Sequence, residues 1–156
     1  MLAAMLAVVL LCGCLESAGD KADLGLKEYS HRVDGSRDIT IYKSSGDTIR
    51  ATVIKNSNPP GYGDRDLSSE VERLIANPDT KKWEAPLRVL QIDGHKSISS
   101  KIIQVDPNTG IRTNNVQDLY VTIIAYPERK MLLTIMSNGA GVDAGVHSQI
   151  VNKFKY

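Results

Sequence analysis

The run Leu87-Arg88-Val89-Leu90-Gln91-Ile92-Asp93-Gly94-His95-Lys96-Ser97-Ile98 decides the fold class. Leu87 to Ile92 is nearly continuously apolar, the pattern of a central strand buried on both faces. Asp93-Gly94 follows at once, and this dipeptide tolerates the positive φ angles that a two-residue hairpin turn demands. The return strand extends from His95 to about Val105, with Ile98, Ile102, Ile103 and Val105 as its apolar positions. Strands joined by so short a turn can pair only antiparallel. The frame is therefore an antiparallel sheet.

On the C-terminal side, Asp106-Pro107-Asn108-Thr109-Gly110 reads as a turn, because each of its Asp, Pro, Asn and Gly residues has a turn role. Leu119 to Tyr126 and Met131 to Met136 then pair across Pro127-Glu128-Arg129-Lys130. The chain closes with a helix from about Asp143, where Val146, Ile150, Val151 and Phe154 recur at helical spacing. On the N-terminal side, Asp66 caps a helix whose Leu67, Val71, Leu74 and Ile75 share one face, and Asn77-Pro78 stops it. Earlier still, Ile39 and Ile41 alternate with polar neighbours, as do Ile49, Ala51 and Val53, with Ser44-Ser45-Gly46-Asp47 as the turn between them. Asp34-Gly35 marks one more turn after a weaker strand, Tyr29 to Val33. The predicted fold is a single α+β domain over residues 28–156: an antiparallel β-sheet with two amphipathic helices in the order β-β-α-β-β-β-β-α.

The N-terminus carries a different message. Met1 to Leu15 reads MLAAMLAVVLLCGCL, with no charged side chain before Glu16. The run is shorter than the roughly 20 apolar residues a membrane-spanning helix needs, and it suits the apolar region of a secretory signal. It ends in Leu11-Cys12-Gly13-Cys14. This resembles the lipobox of prokaryotic lipoproteins, although Cys12 stands where Ala, Ser or Thr is usual and no Lys or Arg precedes the apolar run. The resemblance implies that residues 1–13 are a cleaved signal and that Cys14 is the lipidated first residue of the mature chain. Residues 14–27 then read as the lipidated Cys and a flexible tether, small, charged and Gly-containing. One acyl chain holds a protein to a membrane only marginally, so the two chains of a diacylglyceryl group on Cys14 would make the attachment stable. A plain cleaved signal, a short membrane anchor or a buried N-terminal helix are the other readings of the same run. The lipoprotein reading places the domain on the extracytoplasmic side of a cell membrane.

Composition narrows the chemistry. Cys12 and Cys14 are the only cysteines. If Cys12 leaves with the signal and Cys14 is acylated, the mature domain has no thiol, and therefore no disulfide, thiolate nucleophile or Cys-metal site. The formal net charge is +1, so the basic surplus of a nucleic-acid binder is missing. Lys81-Lys82 and Arg129-Lys130 are basic pairs in predicted turns. His31, His95 and His147 are far apart, and no HExxH or His-x-x-x-His spacing occurs, so no metal is expected. Asp106-Pro107-Asn108-Thr109-Gly110 begins like a calcium loop, but Ile111 and Gln117 stand where an EF-hand needs Gly and Glu. Neither a GxSxG elbow nor a Ser-x-x-Lys pair nor a phosphate-binding loop is present, and no cofactor is implied. Gly139-Ala140-Gly141 precedes the last helix, where its N–H groups could meet an anion or simply let the chain turn. Trp83 reads as a cap on the core edge.

The candidate partner-binding loop is Asn58-Pro59-Pro60-Gly61-Tyr62-Gly63, in which Pro59, Pro60 and Tyr62 form a stiff aromatic surface. The alternative is that Tyr62 folds back on the sheet and the prolines only turn the chain. The element order and the segments Val89 to Lys96, Asp118 to Met136 and Gln149 to Phe154 resemble the Mog1/PsbP-like fold, which also occurs in small prokaryotic lipoproteins. That resemblance implies a non-enzymatic domain that binds or helps assemble a protein partner. It carries over no functional residue. The expectation is a membrane-anchored, extracytoplasmic binding or assembly module. A small-ligand-binding lipoprotein is the first alternative, and a hydrolase with a site assembled from distant residues is the second.

Overall fold

Leu119 to Tyr126 and Met131 to Met136, predicted to pair across Pro127 to Lys130, form the centre of the molecule. The computed structural model describes residues 24–59, 67, 81–84, 87–113 and 119–156. Its strands are β1 (Lys27–Asp34), β2 (Arg37–Lys43), β3 (Ile49–Ser57), β4 (Lys81–Trp83), β5 (Arg88–Ile92), β6 (His95–Gln104), β7 (Leu119–Tyr126) and β8 (Met131–Gly139). All pair antiparallel in one sheet of order β1-β2-β3-β8-β7-β6-β4, with β5 also on β6. The turn between β7 and β8 is a single 3₁₀ turn at Pro127–Arg129, closed by Lys130 at φ 46°. Proline fixes the first φ of such a turn, and the left-handed residue reverses the chain.

The expected α+β order β-β-α-β-β-β-β-α does not hold. Eight strands dominate, and α1 (Ala144–Phe154) is the one helix delimited among the described residues. The helix predicted from Asp66 to Asn77 lies outside the described residues except for Leu67, which is buried against Ile98, Ile102, Val121, Ile123 and Leu132. Tyr29 to Val33, read as a weak strand, belongs to an eight-residue strand. Lys81-Lys82, read as a turn, opens β4. Leu87 to Ile92, read as central, contains an edge strand, and only Ile92 in β5 is buried. Apolar character told how this run is built but not how many strands flank it. β4 and β5 share one side of β6, with Trp83 opposite Ile102 and Arg88 opposite Ser99.

Both faces of the central strands are covered, which explains their near-continuous apolar sequence. On one face, Tyr42, Ala51, Val53, Ile124, Leu133 and Ile135 pack against Val146, Ile150 and Val151 of α1. On the other, Ile98, Val121, Ile123 and Leu132 pack around Leu67, with Trp83 half-buried at the margin. Leu24 and Leu26 already belong to the first cluster, so the packed domain begins within the segment that reads as tether. α1 starts where Asp143 Oδ1 accepts from the Val146 N–H at 3.0 Å. It ends where Lys155 adopts φ 49° and donates its N–H to the Val151 carbonyl. These are a side-chain N-cap and a left-handed C-cap. The chain end is held by Phe154, stacked on Tyr42 at 4.1 Å, and by a hydrogen bond between the Tyr156 and Tyr42 hydroxyls.

Candidate functional site

α1 lies across β7 and β8, and its start leaves an open polar cleft beside the loop Gly139-Ala140-Gly141. Two adjoining depressions of about 310 and 270 Å³ share Lys101, Tyr120 and Val142. Glu84, Arg88, Ser100 and Asp143 complete one of them, and Ser137 with Gly139 to Gly141 the other. Lys101 reaches Glu84 at 3.9 Å, and Arg112 reaches the same carboxylate at 3.8 Å. The cleft therefore presents both signs of charge. The glycine loop is built for close approach: Gly139 has φ 138°, and a Cβ there would lie 2.4 Å from the Thr48 carbonyl oxygen. Of the two readings of this loop, the structure supplies a backbone-packing reason for the first glycine.

Under the cleft runs a chain of buried polar side chains. Ser137 on β8 and His147 on α1 meet at 2.5 Å between Oγ and Nε2. Nδ1 of His147 lies 2.7 Å from the Thr122 hydroxyl on β7, which lies 2.7 Å from the Ser99 hydroxyl on β6. Tyr120, with Ser99 and the Ala144 backbone as hydrogen-bonding neighbours, packs edge-on to the His147 ring at 5.2 Å. Ser99, Thr122 and His147 have no solvent exposure, and Ser137 has 1%. Burial pushes the His147 imidazole down to about 3, and the Asp143 carboxylate opposes this only partly. A neutral ring offers one donor and one acceptor, and hydroxyls can play either part, so the network satisfies itself without charge. Ser137 and His147 have the spacing of a nucleophile and its base. Both side chains are buried, however, and the ring's second nitrogen meets a hydroxyl instead of a carboxylate.

The other two histidines sit apart from this network. His31 Nε2 lies 2.6 Å from Asp38 Oδ1 on the exposed β1–β2 hairpin. His95 donates from Nδ1 to the Asp93 carbonyl at 2.7 Å, with Nε2 lying 3.2 Å from Glu128 and its ring against Tyr126. Among the described residues no three His, Cys, Asp or Glu side chains gather as a metal site. Asp106 Oδ1 accepts from the N–H groups of Asn108 and Thr109, both at 2.9 Å, which makes its loop a self-bonded turn. Those N–H groups, Thr109's first, hold the Asp106 carboxyl below its usual range.

In the loop expected to bind a partner, Pro59 is buried and Asn58, at φ 53°, donates its N–H to the Lys130 carbonyl at 2.7 Å. Pro60 and Tyr62 lie outside the described residues, as does Cys14. Among the described residues no helix is long and apolar enough to cross a membrane.

Sequence reasoning missed the Ser99–Thr122–His147–Ser137 chain. One signal was available: His147 precedes Ile150 and Val151 by three and four residues, on the apolar face of its helix. No family model matches the chain, and no curated protein matches it. A solved structure of PA94 from Pseudomonas aeruginosa, described as a protein of unknown function, is similar in outline. It aligns at 16% identity with a TM-score of 0.43, over 83% of this chain and 93% of that one.

Proposed function

We propose that the chain is a lipid-anchored extracytoplasmic module that binds a protein partner and performs no chemistry of its own, with the open edge of β5 receiving the partner. The contrast between the two edges of the sheet carries this reading. β1 is exposed throughout, but it bears Lys27, Glu28, His31, Arg32 and Asp34 and a bulge between Glu28 and Ser30. Charges and bulges are how native edges resist pairing with other chains. Among the described residues the β5 edge has no bulge and a single charge. Val89 is 64% exposed, Leu87 beside it 38%, and Arg88 is the only charged residue of the strand. The two-residue turn makes Ile92 and His95 a hydrogen-bonded pair, and bonding alternates along the strand. Val89 and Gln91 therefore turn their N–H and C=O groups to the open side. An added strand would use those groups for affinity and the apolar side chains for specificity. The resemblance to Mog1/PsbP-like chains points the same way.

A photo-reactive residue at Val89, in the native host, is expected to capture one discrete partner. The same residue at Arg32 on β1 should capture none. Val89→Lys should lower recovery of that partner at least about tenfold while changing stability by no more than about 0.5 kcal/mol, as exposed substitutions do. Equal capture from both positions, or none from a folded protein, would remove the β5 reading.

The anchor has its own test. Mass spectrometry of the chain from its host is expected to show a mature form beginning at a diacylglyceryl-modified Cys14, and Cys14→Ser should abolish incorporation of labelled fatty acid. A mature chain beginning elsewhere would overturn it.

The polar cleft favours the second reading, a small ligand carrying both charges. Its test is whether Lys101→Gln and Asp143→Asn together change the metabolites that co-purify.

A further inference from the structure

We propose that Lys27, Tyr29, Lys43 and Arg50 form a basic and aromatic patch that rests on an anionic phospholipid surface and sets how the domain stands on its membrane. The proposal rests on the lipid-anchored reading for the nearness of that surface. Its own support is the register of the first three strands. Lys27 of β1 pairs with Lys43 of β2, and Lys43 with Arg50 of β3. Residues directly opposite in a sheet point to one face with Cβ atoms about 5 Å apart, and like charges so placed destabilise the sheet. Three cations in one row therefore oppose folding and call for an anionic neighbour.

The fold supplies little of that neighbour. Lys43 lies 3.4 Å from the well-exposed Asp47 carboxylate. Among the described residues neither Lys27 nor Arg50 has an ion-pair partner, and both are exposed. The bulge between Glu28 and Ser30 gives Tyr29 no pairing position. The ring is left 64% exposed, with the Lys43 ammonium 3.9 Å from its centroid. Bulges re-aim side chains in this way. A tyrosine ring among cations is the composition that settles at the headgroup level of a bilayer.

Position completes the argument. The described chain begins at Leu24, three residues before Lys27. Nine residues, Leu15 to Asp23, separate it from Cys14. Even fully extended they reach no more than about 36 Å. The row of cations thus begins close in sequence to the tether and within its reach of the anchor. The opposite edge of the sheet is six strand spacings from β1, about 29 Å. The patch and the β5 edge are therefore separate surfaces, and contact with lipid at one does not occupy the other.

The test uses the full chain carrying Cys14→Ser, so that acylation does not mask adsorption, with vesicles of phosphatidylcholine alone or with about one third phosphatidylglycerol. The leader is the same in the parent and in both triple variants, so its contribution cancels in the comparison between them. Each Lys or Arg near an anionic surface contributes about 1 kcal/mol, so Lys27→Gln, Lys43→Gln and Arg50→Gln together should lower partitioning onto the anionic vesicles on the order of a hundredfold. Raising salt should erase the preference in the parent chain. Neutralising Lys96, Arg129 and Lys130 should leave it nearly intact. The thermal midpoint of the patch variant should be unchanged or higher, because repulsion across the strands has been removed. Equal loss in both triple variants, or no preference for anionic vesicles in the parent, overturns the patch while leaving acylation of Cys14 untouched. Absence of acylation with the preference intact overturns the anchor and leaves the patch standing.

Discussion

Gly139→Ala is expected to cost about 4 kcal/mol of folding stability, near the top of the range for single substitutions. Two effects add. At φ 138° an L-residue occupies backbone space that glycine alone visits freely. Such strain costs about 1–3 kcal/mol. In addition, the new methyl would stand 2.4 Å from the Thr48 carbonyl oxygen and 3.1 Å from the Ile49 Cα. Both are backbone atoms of the chain leading into β3, and Ile49 is the register partner of Gly139, so relief requires the β3–β8 pair to separate at its end. Gly141→Ala is the control. Its φ is 73°, but nothing lies within 4 Å of the added methyl, so it should cost only about 1 kcal/mol. Urea unfolding of both variants checks the difference. Equal costs would mean that strand ends move freely there and that the close approach imposes nothing.

The parts of this fold that were legible in the sequence are those decided within a few residues. Asp93-Gly94 forms its turn with φ angles of 52° and 75°, as the two-residue hairpin requires. The Pro127 to Lys130 reversal and the Asp143 cap likewise follow from the local preferences of proline and of short polar side chains. Neighbour relations were not legible. β3 lies against β8 across some eighty residues of sequence, and no turn residue announces that pairing. An apolar run cannot say which strands flank it, so Leu87 to Ile92 passed for a central strand although it forms a margin of the sheet. β4 is three residues long and begins with two lysines, too short for any period to show. The site was hidden for the same reason. Ser99, Thr122, Ser137 and His147 come from four elements, and local sequence marked only Thr122, alone among apolar neighbours, and His147, on the apolar face of its helix. The edge contrast was half legible, since the charges of β1 are plain in the sequence and the lack of a strand beyond β5 among the described residues is not.

His147→Gln should make the protein less stable at neutral pH and nearly equal to the parent near pH 5. At pH 7.5 the ring is neutral in the folded chain and in the unfolded one, so its ionisation contributes nothing there. The variant then loses one of two good hydrogen bonds and part of the packing against Tyr120, which together cost about 2–3 kcal/mol. As pH falls below about 6.5, the ordinary histidine value, the unfolded chain takes up a proton at this position. The folded chain refuses it until about pH 3, because a charged ring would be desolvated among Ser137, Thr122 and Tyr120. The unfolded state therefore binds more protons, and the parent loses about 1.4 kcal/mol per pH unit across that window. Glutamine does not titrate. His31, His95 and the carboxylates are common to both proteins, so the difference between the two stability curves isolates His147. That difference should shrink steadily from pH 6.5 and change sign near pH 5. A constant difference would mean that the folded protein accepts the proton with little cost. The Ser137–His147–Thr122 network would then open readily to water, restoring to Ser137 the accessibility that a nucleophile requires. The slope of one stability curve therefore bears on the structural role of this network beneath the cleft.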